Sequence, residues 1–161
     1  MHLYTLIDPI TGQQTTLSEV ELTQNLAPNY ILLQGREHIG IITHRDLVAF
    51  ARWCAMEAIA RAKGTSTPEA QYALTLVDRW LEDEKRVTPE ELEAVAEVAW
   101  AAVDAADAAR AIWAAADAAW AAARAARAIW VAADVARSAE DRGLSYKSQA
   151  QWLVEHLQSG K

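Results

Sequence analysis

The chain has 161 residues, enough for one compact domain with a real core, and alanine inflates its 52% hydrophobic content. Charges recur within every apolar stretch, so no membrane span is expected, and the N-terminus MHLYTLIDP lacks the basic start and apolar core of a signal peptide. A net charge of −7 disfavours nonspecific nucleic-acid binding, and the single Cys54 allows no internal disulfide, which fits a cytoplasmic setting.

Residues 1–44 differ in composition from the rest. LYTLI at 3–7 predicts a short strand and DPITG at 8–12 a turn, while NYILL at 30–34 and HIGIITH at 38–44 predict two further strands around Gln34-Gly35-Arg36-Glu37. Between them, LSEVELTQNL predicts a short helix ended by Pro28. The pattern is a β-α-β-β cap.

Helix signals dominate from there on. Thr43 with Asp46 three residues later opens a helix that Gly64 closes; Thr67-Pro68-Glu69 opens a second that runs to about Arg86. Thr88-Pro89-Glu90-Glu91 is a capping box with Pro at the first helical position, and the pattern it starts runs without Gly or Pro to Gly143. Ser145 caps a last helix through residues 153–157. As one helix, the third segment would span about 80 Å, against a diameter near 40 Å for a compact domain of this length. It is therefore expected to fold into a hairpin within a bundle of four to five helices. A single projecting helix buried in a homodimer is the rival.

Within that segment the charged and aromatic residues form a path. Glu90, Glu93, Glu97, Trp100, Asp104, Asp107, Arg110, Trp113, Asp117, Trp120, Arg124, Arg127, Trp130, Asp134, Arg137 and Asp141 are separated by steps of three or four residues, 51 residues in fifteen steps, a mean of 3.4. On a straight helix of period about 3.6 this path drifts by about 20° per turn, and breaking the helix halves the total drift. Alanine supplies 25 of the 46 residues from 94 to 139, so the small-residue surface is the expected packing face. The path then faces water, a ligand-binding groove or a protein partner. Candidate ligand- or partner-binding residues are Trp100, Arg110, Trp113, Asp117, Trp120, Arg124, Arg127, Trp130 and Asp134, because indole and guanidinium faces stack on planar or anionic groups and are enriched at protein interfaces.

Catalytic chemistry finds no constellation. His2, His38, His44 and His156 form no Glu-x-x-His pair, and HExxH, paired CxxC, EF-hand, GxSxG and phosphate-loop patterns do not occur. Cys54, in ARWCAMEA, reads as a buried, inert thiol. The acids of residues 78–97 read as a solvated helix face, with a basic partner as the alternative. Neither a metal, a cofactor nor an enzyme activity is expected.

RWCAMEAI at 52–59, LVDRWLEDEKRVTPEELEAVAEVAW at 76–100 and the AAxAA repeats resemble alanine-rich, all-helical bacterial and phage proteins labelled as immunity proteins of the polymorphic-toxin kind. The resemblance spans residues 45–142 and implies a small noncatalytic protein that acts by binding; it assigns no binding residue. The expectation is thus a mainly α fold: a helical bundle over 45–161 with long alanine-rich helices, and a small α/β cap over 1–44. The expected function is binding or inhibition of a protein partner, as an immunity-like protein or a phage inhibitor of a host factor. The alternatives are sequestration of a small anionic or planar ligand, nucleotides included, and a structural oligomer built through alanine-faced helices; nucleic acid and membrane are not expected partners.

Overall fold

The computed structural model describes residues 2–61, 68–94 and 145–160. The N-terminal residues build a sheet. Strands β1 (Tyr4–Ile7), β2 (Gln14–Leu17), β3 (Ile31–Gln34) and β4 (Glu37–Ile41) lie in the order β2-β1-β3-β4, all antiparallel. The β3–β4 hairpin closes on Gly35-Arg36, with Gly35 at φ 63°, the positive angle a two-residue hairpin of this type requires at its first central position. Helix α1 (Glu19–Gln24) links edge strand β2 to β3 across one face of the sheet. Its start is fixed by Ser18, whose hydroxyl accepts from Glu21 N–H while Glu21 accepts from Ser18 N–H.

Helices α2 (His44–Arg61) and α3 (Pro68–Glu82) follow, then a 3₁₀ turn at Glu84–Arg86 and a helix of which residues 89–94 are described. Thr43 opens α2 by the expected box: its N–H and hydroxyl donate to Asp46 Oδ2 at 2.8 and 2.6 Å. Thr88 and Glu91 form the second box, with Thr88 N–H donating to Glu91 at 2.8 Å. The C-terminal helix, Tyr146–Ser159, is capped by Ser145, which accepts from Ser148 N–H, and ends on Gly160 in the left-handed conformation. It packs against α1, α2 and β4.

The architecture corrects the mainly α expectation. A four-stranded antiparallel sheet and five helices, counted among the described residues, make an α+β fold, so the chain is neither an all-α bundle nor a bundle with a three-stranded cap. The unexpected strand is β2, Gln14–Leu17. Its sequence QTTL carries one apolar residue, so it shows no apolar alternation; two threonines, which suit a pleated edge, and pairing with β1 make it a strand. Sheet and helices also share one core: Tyr4, Leu6 and Leu32 belong to the same buried cluster as Phe50, Trp80 and Leu153. A Cβ at Gly40, on the inner face of β4, would sit 3.4 Å from Leu157 Cβ, in van der Waals contact, so the C-terminal helix occupies the space that a larger side chain would need.

Candidate functional site

Side chains on neighbouring strands that face each other across a register pair share one side of the sheet. Tyr4, Leu6, Leu17 and Leu32 take the side covered by α1 and the C-terminal helix, and all four are buried. The opposite side carries the rows Ile7, Ile31, Ile41 and Thr5, Leu33, His38. No described element packs on it. Ile41 is 53% exposed, and Leu3, two residues before Thr5, is 54% exposed.

An antiparallel sheet with one wet face normally alternates apolar and polar residues. Strand β3 does not: Ile31 and Leu33 on the open side are as apolar as Leu32 on the covered one, and Ile31 joins Ile7 and Ile41 in an apolar row flanked by Thr5, Gln14, Thr16 and His38. The sequence therefore equips that row for burial.

The turn at the Ile7 end adds an anchor. Asp8 Oδ1 accepts from Ile10 N–H at 2.8 Å, Asp8 Oδ2 accepts from the Thr11 hydroxyl at 2.9 Å, and Gly12 N–H donates to Asp8 C=O at 2.8 Å. The first of these bonds, more than any other, holds the Asp8 carboxyl below its ordinary range. The brace orders the turn and leaves Ile10 93% exposed at its tip. A large aliphatic side chain is thereby held in water on an ordered turn, at the end of the open face.

A second cluster joins the C-terminal helix to α2. His156 Nε2 donates to Asp46 Oδ1 at 3.0 Å, and the imidazole stacks on Trp152 with ring centroids 4.6 Å apart. Trp152 in turn stacks on Trp53 at 5.4 Å and lies 5.9 Å from Phe50. Burial pushes the Asp46 carboxyl up, but the bonds from His156 and Thr43 outweigh it and leave the group below its ordinary value. An aspartate–histidine pair is the raw material of acid–base catalysis. Here both side chains are largely buried and each is engaged by a cap or an aromatic stack, which makes the pair a clasp between two helices.

All nine candidate residues read from the stripe, Trp100, Arg110, Trp113, Asp117, Trp120, Arg124, Arg127, Trp130 and Asp134, lie outside the described residues, as does the choice between one helix and a hairpin over 89–142, of which 89–94 alone are described. Cys54 is a buried free thiol. Among the described residues no group of three His, Cys, Asp or Glu side chains converges as a metal site, and no helix is long and apolar enough to cross a membrane. The chain matches no family model, no curated protein and no solved structure.

Sequence reasoning missed the open face and Ile10, although both left a signal. Continuous rather than alternating apolar character in LYTLI and YILL marks two-sided burial, and an isoleucine between proline and threonine breaks an otherwise polar turn. The Asp46–His156 bond left none, because 110 residues separate its partners.

Proposed function

We propose that the protein is a noncatalytic, cytoplasmic binding protein whose protein partner docks on the open face of the sheet, with Ile10 as an anchor at its end. The observation that carries this reading is the apolar row Ile7, Ile31, Ile41, which no described element covers. The row consists of branched aliphatic side chains, so the complementary surface of the partner is apolar. An inhibitory outcome of binding, of the immunity kind, rests on the resemblance of residues 45–142.

The test is capture from the native host with the intact chain and with Ile41→Glu or Leu3→Glu, each at an exposed position that tolerates a charge in the free protein. The expected result is a stoichiometric protein retained by the intact chain and lost by about tenfold or more in either variant. Recovery of no partner, or equal retention by the variants, counts against the reading.

A further inference from the structure

On the covered side of the sheet, at the end away from Ile10, β1 and β3 meet the start of α1 and one face of the C-terminal helix around a groove of about 460 Å³. That volume falls within the range of small-molecule sites. Tyr4 and Gln34, which pair across the strands, contribute from the sheet; Glu19 comes from the start of α1, and Lys147, Glu155 and Gln158 come from one face of the C-terminal helix.

The protein uses the polar capacity of the groove only in part: Glu155 accepts from the Gln151 amide at 2.8 Å and Glu19 from the His2 N–H at 3.5 Å, each with one further carboxylate oxygen facing no described donor. Tyr4 is only 3% exposed, yet its hydroxyl makes no hydrogen bond to a described residue, and unlike Trp80 Nε1 it is not sealed from the groove. Burial, with the nearby Glu19 carboxylate second, pushes its ionisation up, so it stands as a neutral donor and acceptor. Among the described residues Lys147 has no ion-pair partner, although Glu19 and Glu155 line the same groove. Opposite charges are thus held around one space without neutralising each other, and the Gln34 and Gln158 amides are available to a neutral portion between them.

From this arrangement we infer that the groove is a binding site for a small zwitterion of the α-amino-acid type, its carboxylate on Lys147 and its ammonium on Glu19 and Glu155, over the Tyr4 hydroxyl. Lys147 in the first turn adds its charge to the positive end of the helix dipole, which favours a carboxylate there. The two carboxylates against one ammonium disfavour a phosphate or other pure anion, and a simple amine, lacking a carboxylate, leaves Lys147 unpaired and so binds less well than a zwitterion. The inference is independent of the docking face, which lies on the other side of the sheet.

Titration calorimetry of the full chain against the common free α-amino acids, with ethylamine, acetate and inorganic phosphate as single-charge probes, tests it. At least one amino acid is expected to bind while all three single-charge probes do not. Lys147→Met at an exposed position and Glu19→Gln at a half-buried one are each expected to weaken that binding by about tenfold or more, and Tyr4→Phe by about threefold to tenfold. Binding of ethylamine or phosphate as tight as that of the best amino acid, no binding by any amino acid, or affinity unchanged in both charge variants would overturn the assignment. Circular dichroism of the variants separates lost binding from lost folding; should Tyr4→Phe unfold the chain, the two charge variants decide.

Discussion

Asp46 serves two bonds at once: Oδ2 closes the start of α2 on Thr43, and Oδ1 accepts from His156 of the C-terminal helix. Its carboxyl is held below the ordinary range, so its charge stabilises the fold above the unfolded-state pKa of about 4 and that contribution is lost as pH falls through the lower folded value. Asp46→Asn is therefore expected to cost about 1–3 kcal/mol at neutral pH, with a smaller loss, or none, at pH 3. Urea melts at the two pH values check this; an equal cost at both would show that the charge is not what matters. The cap half of this arrangement was legible, because Thr43 and Asp46 stand three residues apart and capping is a local event. The histidine half was not, since only the folded chain brings residue 156 to residue 46.

At the scale of elements, the helix starts at Thr43, Thr88 and Ser145 and the strands around 3–7, 30–34 and 38–44 follow from the sequence, because caps, turns and apolar runs are written within a few residues. Strand β2 escapes the same reasoning. Gln14-Thr15-Thr16 is exposed, and its strand character comes from hydrogen bonds to β1 rather than from its own pattern. The contact of β4 with the C-terminal helix makes a prediction of its own. Gly40→Val pushes a branched side chain against Leu157 and is expected to destabilise the fold by about 1–3 kcal/mol in denaturant titrations. The pair Arg52–Asp78, which ties α2 to α3, is a third to two fifths exposed, and Asp78→Asn is expected to cost less than about 1 kcal/mol. Ile10→Ser, at the tip of the braced turn, is expected to leave stability within about 0.5 kcal/mol while weakening partner binding. A large loss of stability would show that Ile10 packs within its own chain.

At the scale of the whole molecule, the described residues form a four-stranded sheet packed on one side by helices, with an apolar row of Ile7, Ile31 and Ile41 on the other side that no described element covers. Composition and charge, read from the sequence, indicated a binding protein, but they directed attention to the alanine-rich segment, where tryptophan and arginine stand out against small residues. The open face was harder to see because its residues are ordinary strand formers, and only the register that brings Ile7, Ile31 and Ile41 into one row makes a surface of them. The surface carries the central claim, and site-specific photo-crosslinking tests it most directly. A benzophenone side chain in place of Ile41, and as control in place of the equally exposed Tyr72 on α3, is irradiated in cells at native expression. The expected result is one discrete protein adduct from position 41 and none from position 72; the same adducts from both positions, or none from position 41, would contradict the docking face.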